Sequence, residues 1–280
     1  MKISTGQTVL VTGATGGLGV HITRALAERK VKLALVAFPG IELEELQRSV
    51  AASGCEAFSL AADLRDPAQR HQLLDEVHRN LGEVDILINN AGVEITSAYH
   101  ELTEENIRDI IGVNLEAPMV MTKLVLPEMV RRRSGHIINM ASLAGKSGPA
   151  YQEPYAATKA GLIAFTASLR ATYRRNGVSA SVIVPGFVEA GIYAKLKAAS
   201  GCAAPALLGT SPPEAVVRAV IRAIEDDRPE VIVNSLPVRP LLAFTALFPR
   251  LGEWIAGQTG ANDFFQRVVD AQNRNRSGKH

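Results

Sequence analysis

The sequence predicts an α/β fold, a doubly wound parallel sheet of about seven strands with helices on both faces. Three observations predict it. Short apolar runs alternate with helical patterns over the first two-thirds of the 280 residues. Several of those runs are continuously apolar, as strands covered on both faces are. A glycine-rich turn joins the first run to the first helical pattern.

The elements follow in order. "TVLVT" (8–12) is a strand, and "LGVHITRALAERK" has helical periodicity. "VKLALVA" (31–37) gives the second strand, "ELEELQRSVAAS" a helix, and "EAFSLAAD" a third strand ending at Asp63. Pro67 stands where a first-turn proline belongs, opening the helix "PAQRHQLLDEVHRNLG". "VDILINN" (84–90), "GHIINMAS" (135–142), "VSASVIVPG" (178–186) and "PEVIVNS" (229–235) complete the sheet, with two long helical patterns before and after the fifth strand. Residues 187–213, rich in Ala, Gly and Ser, break this rhythm and are expected to form a lid or binding loop. No repeat or polar linker divides the chain. Residues 1–236 are therefore expected to form one domain including that lid. Residues 237–280 are expected to be an apolar extension packed on it, frayed at "AQNRNRSGKH".

A formal net charge of +2 speaks against nucleic acid as a partner. Arg131, Arg132 and Arg133 read as cations at a helix C-terminus. Two cysteines, Cys55 and Cys202, do not make a disulfide framework, which points to a reducing, cytoplasmic location. The start of the chain has no signal-peptide architecture, and the apolar run 241–248 is too short to span a bilayer, which takes about 20 residues. His71, Asp75 and His78 share a spacing that suits metal ligands, but they lie on a polar helix and read as a solvated face, so no metal is expected.

Three motifs carry chemistry. "TGATGGLG" (12–19) places Gly13, Gly17 and Gly19 where a backbone turns tightly into a helix N-terminus, a place for a pyrophosphate or a plain tight turn. An NAD site usually has an acid after the second strand and an NADP site an arginine; here stand Ala37 and Phe38. Asp63 is placed to accept a hydrogen bond from an adenine, or simply to lead a helix. Tyr155 and Lys159 in "EPYAATKAGLIAF" are one turn apart, either an ordinary helical pair or a phenol tuned by an ammonium.

Taken in order, "TGATGGLG", "NNAG" (89–92), Asn114 in "IGVNL", Ser142, "YAATK" and "PG" (185–186) resemble the short-chain dehydrogenase/reductase family over about residues 8–233. The resemblance implies a Rossmann-like fold and an NAD(P)-dependent oxidoreductase interconverting a secondary alcohol and a carbonyl. It implies roles for Tyr155 as proton donor or acceptor, Lys159 as holder of the nicotinamide ribose and depressor of the tyrosine pKa, Ser142 on the substrate oxygen, and Asn114 as a helix kink and proton relay. It assigns cofactor contacts to Gly13, Thr15, Gly17, Leu18, Gly19, Phe38, Asp63, Leu64, Asn90, Ala91, Gly92, Tyr155, Lys159, Pro185, Gly186 and Val188. Substrate contacts fall to Ser142, Leu143, Gln152, Tyr155 and Phe187, with Tyr151 lining the pocket beside Gln152.

The sequence departs from the family in three places. Ala141 replaces a serine, Ala190 replaces the threonine that holds the carboxamide, and the Ala37–Phe38 corner is uncharged. Family members that use NADP often carry Ala where Ala37 stands, which leans the choice to NADP. Ile192, Tyr193, Leu196, Leu207 and Leu208 in the lid, with Leu143, Val93 and Phe187, suggest a largely apolar substrate. The extension, with Trp254 and Phe264–Phe265, is expected to cover the pocket, then in descending order to make a subunit contact or a peripheral membrane contact. Family members often form tetramers or dimers through the two long helices. Two other readings are an epimerase or dehydratase that recycles bound cofactor, and a dinucleotide sensor without turnover.

Overall fold

A computed structural model describes residues 1–277. Its centre is a seven-stranded, fully parallel sheet of β1 (Thr8–Thr12), β2 (Lys32–Ala37), β3 (Ala57–Ala61), β4 (Ile86–Asn89), β5 (Gly135–Met140), β6 (Val178–Pro185) and β7 (Glu230–Val233), in the order β3-β2-β1-β4-β5-β6-β7. The order reverses between β1 and β4. At such a switch point the loops leaving the strands diverge and open a crevice beyond their carboxyl ends.

Both faces of the sheet are covered, and the period-two alternation of the strands sorts side chains between them. On one face Val9, Val11, Leu33 and Leu35 pack against Ile22 and Leu26 of α1 (Gly17–Ala27), Leu43 and Leu46 of α2 (Ile41–Ala52), and Val216 and Val220 of a helix at Pro213–Glu225. On the other, Leu10, Ala34 and Val36 pack against Leu73 and Val77 of α3 (Pro67–Leu81), and against Met121 and Val125 of a helix at Ala117–Arg132. Pro67 opens α3 as expected, with the Asp66 carboxylate accepting from the amides of Ala68 and Gln69.

After β4 come α4 (Glu104–Ile111), a five-residue π-turn (Gly112–Glu116) and α5 (Ala117–Arg132), which form one continuous apolar helical rod. Glu104–Arg132 is long and apolar enough to cross a bilayer by composition. Its buried stripe, Ile110, Asn114, Met121, Val125 and Met129, instead packs within the protein beside the sheet. Arg131 and Arg132 close α5 as basic last-turn residues, Arg132 reaching Asp85 at 3.2 Å. After β5, α6 (Ala144–Ser147) leads to the long α7 (Glu153–Tyr173). α8 (Gly191–Ser200) occupies the segment after β6 and precedes α9 (Pro213–Glu225).

The C-terminal region forms three helices, α10 (Arg239–Leu247), α11 (Pro249–Gln258) and α12 (Ala261–Ser277). The expected fraying from residue 271 is corrected by α12, which continues to Ser277. Phe264, Phe265, Val268, Val269 and Ala271 are all buried and give the helix an apolar stripe to hold down. The last residues of that expected frayed tail, 278–280, lie outside the described residues.

Candidate active site

A cleft of about 840 Å³ opens at the switch point and runs out beneath α10 and α11. One end is lined by Gly13, Gly16, Gly17 and Leu18 of the first turn, the middle by Ser142, Tyr155 and Lys159. The far wall is Phe187, Tyr193, Leu196, Leu242 and Ile255.

Tyr155 and Lys159 lie on the buried side of α7. Lys159 Nζ donates to the Met140 carbonyl oxygen at 2.9 Å and sits 5.5 Å from the centre of the Tyr155 ring. The phenol shares a hydrogen bond with Ser142, which follows the end of β5. Burial pushes Tyr155 up to about 12; the Glu94 carboxyl adds to the rise and Ser142 opposes it. Burial pulls Lys159 down to about 8. The tyrosine pKa therefore moves opposite to the expectation that Lys159 depresses it. The phenol is largely buried, and the Lys159 ammonium donates its hydrogen bond to the Met140 carbonyl.

Asn114 sits at the centre of the π-turn, where the widened helix turns its side chain inward. Its Oδ1 accepts from the Val93 amide at 2.8 Å and its Nδ2 donates to the Val93 carbonyl at 2.8 Å. Gly92 leaves room beside it: a Cβ there would stand 3.4 Å from Asn114 Oδ1 and 3.5 Å from Lys159 Nζ.

Close packing sets the lysine. A Cβ on Gly145 would lie 2.5 Å from the Lys159 carbonyl carbon and 2.6 Å from the Ala160 amide nitrogen. Gly145→Val is therefore expected to push α6 off α7 and tilt Lys159, costing about 1–3 kcal/mol of stability by overpacking and a further loss of turnover. Thermal unfolding and initial rates of the purified variant check both.

The glycine turn has the properties of an anion cradle. α1 begins without a side-chain cap and has no acid in its first turn, so its free N–H groups face the cleft without a competing charge. Gly13 adopts φ +64°, and a Cβ there would strike Ala91 Cα at 2.7 Å. Asn90 Nδ2 donates to the Gly13 carbonyl at 2.9 Å and so braces the turn. These residues fit a dinucleotide, with the pyrophosphate at the helix start and the buried Lys159 ammonium further along the same cleft.

Of the predicted residues, Gly13, Gly17, Leu18, Asn90, Ala91, Gly92, Ser142, Leu143, Gln152, Tyr155, Lys159, Pro185, Gly186, Phe187 and Val188 line this one cleft. Others do not. Gly19 is buried under its own turn, where a Cβ would meet the Gly13 carbonyl oxygen at 2.1 Å. The Leu64 side chain is packed in the core with Leu73 and Leu74. Phe38 is exposed. Asp63 is held by Arg65, whose Nη2 lies 2.7 Å from its carboxylate. Thr15 is half-buried in the turn outside the cleft's lining. Tyr151 leaves the pocket: its hydroxyl donates to Gln266 of α12. Val93 and Leu207 are exposed rather than pocket walls. His78 faces Glu128 at 3.0 Å, and no group of three metal-binding side chains occurs among the described residues.

The sequence reading missed two site residues. Glu94, two residues past "NNAG", is half-buried; desolvation raises its pKa, and Thr96 and Gln152 donate to it. Its position after that motif was the available signal. Asn234, at the end of β7, lines the cleft against Gly186, where a Cβ would stand 2.3 Å from its Oδ1.

Comparison with known proteins agrees with this geometry. A family model for short chain dehydrogenase matches residues 7–201. The chain is 38% identical to the ketoacyl reductase HetN of Nostoc sp. (strain PCC 7120) over 99% of this chain and 97% of that protein. It is 35% identical to the 3-oxoacyl-[acyl-carrier-protein] reductase FabG of Escherichia coli (strain K12), over 66% of this chain and 74% of that protein. Among solved structures it is similar to a metagenomic short-chain oxidoreductase in complex with NADP, with a TM-score of 0.71 and 30% identity, over 83% of this chain and 98% of the other.

Proposed function

We propose, from the premise that this chain belongs to the short-chain dehydrogenase family, that it uses NADPH to reduce a ketone on an apolar acyl chain to the secondary alcohol. As a family member it is an oxidoreductase acting on CH–OH and carbonyl groups. The observation that carries the finer reading is the neutral, buried phenol of Tyr155 facing a long cleft with leucine, isoleucine and aromatic walls.

Bound NADPH would supply the hydride to the carbonyl carbon. Tyr155, protonated across the neutral range, gives its proton to the carbonyl oxygen, and Ser142 hydrogen-bonds that oxygen and orients it. Lys159, 5.5 Å from the centre of the Tyr155 ring, is the cation nearest the phenolate left behind, which takes its proton back from solvent before the next turnover. Much of the rate comes from holding the carbonyl in line, so the apolar walls act through orientation. Asn234, against Gly186, is a polar group at the wall where Ala190 has none.

The relatives named ketoacyl reductases support the acyl substrate, and the NADP-bound neighbour supports the cofactor choice. The uncharged Ala37–Phe38 corner also has no carboxylate to repel a 2′-phosphate. We read residues 187–213 as the lid over the substrate and 1–236 as the catalytic domain. We place the protein in the cytoplasm, with free Cys55 and Cys202. A homo-oligomer through the two long helices α5 and α7, with Met119 exposed on α5, is checked by molar mass in solution.

The test is a titration with NADPH and NADH, followed by turnover of 3-oxoacyl thioesters of increasing chain length read by nicotinamide absorbance. Preference for NADPH and a KM that falls with chain length are expected. Turnover independent of chain length would remove the acyl reading.

The lysine predicts a pH limb. A lowered lysine pKa means the ammonium is present below about pH 8 and lost above it. Reductive kcat/KM for NADPH, which reports the free enzyme, should therefore fall as pH rises through about 8. Lys159→Arg, which stays charged, should shift that limb upward in whatever activity remains.

A further inference from the structure

The hairpin formed by α10 and α11 is apolar on two sides. Its inner side, including Leu242, Thr245, Ala246 and Ile255, walls the cleft. Its outer side presents Phe244, Leu247, Phe248, Leu251 and Trp254, which are 38%, 74%, 53%, 44% and 63% exposed. Within the two helices Gly252 alone is buried, so this apolar surface is covered by nothing among the described residues. Scattered exposed leucines need no explanation, but five large apolar side chains on one projecting hairpin mark an interaction surface.

Charge selects the occupant. Between Glu230 and Glu253 the sequence has no acid, and it has two arginines, Arg239 and Arg250. Arg239 is turned back to Glu230 at 3.5 Å, whereas Arg250 is exposed between Phe248 and Leu251. Glu253, the hairpin's acid, borders the cleft and is exposed one turn after Arg250. Residues 244–251 of this face carry the Arg250 cation and no carboxylate, so a second copy seated on them would set cation against cation. A surface that is apolar within and anionic at its boundary meets both features.

We propose that the outer face of the α10–α11 hairpin rests on an anionic lipid bilayer. Phe248, Leu247, Leu251 and Trp254 enter the boundary between headgroups and acyl chains, and Arg250 lies among the phosphates. The contact is monotopic, since the hairpin is far shorter than a bilayer span of about 20 residues per helix. It stands independently of the reductase reading. Joined to that reading, it places the cleft mouth beside the lipid, so an apolar substrate partitioned in the membrane reaches Tyr155 along the hairpin's inner side.

The chain contains one tryptophan, Trp254, which makes the full-length protein its own probe. Vesicles of phosphatidylcholine with about a quarter phosphatidylglycerol, with and without nitroxide-labelled acyl chains, are added and emission is followed. A blue shift, quenching by the labelled chains and co-flotation are expected, weaker on pure phosphatidylcholine. Leu247→Glu and Phe248→Glu should each lower partitioning about tenfold or more, while turnover of a short, water-soluble ketone stays unchanged. That turnover also reports folding of the variants and separates this proposal from the assigned chemistry. Absence of shift, quenching and flotation on both vesicle types overturns the proposal. So does a blue shift that follows protein concentration with a doubling of molar mass, which would mean that a second copy covers the face.

Discussion

Tyr155→Phe is expected to lower kcat by about a thousandfold while leaving the dissociation constant for NADPH unchanged. General acid catalysis contributes roughly 10²–10⁴-fold, and the other phenols nearby are engaged elsewhere: the Tyr193 hydroxyl accepts from the Ala204 amide at 3.0 Å. Tyr151 is tied to Gln266 on α12. The ring itself packs with Ile110, Ala144 and Ala156, and phenylalanine keeps those contacts. What is removed is the hydroxyl, its hydrogen bond with Ser142 and the proton it carries at a pKa pushed up to about 12. Single-turnover rates and a fluorescence titration of the variant separate the two effects. A variant that retains a tenth or so of wild-type turnover would mean that the proton comes from water or from Ser142.

Phe264→Ala is the second large effect, and it acts on the substrate wall. Phe264 is fully buried, with ring centres 5.2 Å from Phe187, 5.0 Å from Phe265 and 6.2 Å from Tyr193. Emptying such a site costs about 3–5 kcal/mol. The loss falls on the docking of α12 against α8, since both helices meet in this aromatic cluster. Hydrogen exchange should rise first in α12 and α8 and leave β4 and β5 protected. KM for long-chain substrates should increase, while turnover of a short ketone changes little, because Tyr155 lies in a separate apolar cluster. Uniform loss of exchange protection across the sheet would mean that the C-terminal helices hold the whole fold.

Much of this site was legible in the sequence because its chemistry sits in local motifs. Gly13, Gly17, Asn90, Ser142, Tyr155 and Lys159 come from different parts of the chain, yet each lies in a loop or turn just past a strand or on α7, and the parallel topology brings them to one edge. The strands were legible for a related reason: covered on both faces, they carry continuous apolar runs.

The parts that were not legible depend on distance in sequence. Glu94 is a half-buried carboxyl held by Gln152, fifty-eight positions away. The rise of the Tyr155 pKa follows chiefly from burial, which no spacing reveals. Leu64 and Gly19 sit inside the family's motif, but their side-chain positions serve packing, a distinction visible once neighbours are known. The last helix was misread because "AQNRNRSGKH" is polar on most positions. The residues that dock it, Val268, Val269 and Ala271, lie at and before the start of that stretch.

The first glycine turn and α8 touch backbone to backbone. A Cβ on Gly17 would stand 2.2 Å from the Gly191 nitrogen, and Gly191 takes a φ of +60° to begin α8. Occupying the turn with a pyrophosphate thus fixes the ledge from which the wall of the substrate cleft rises. For the proposed reaction an ordered addition is expected, nucleotide before ketone, and product-inhibition kinetics check it.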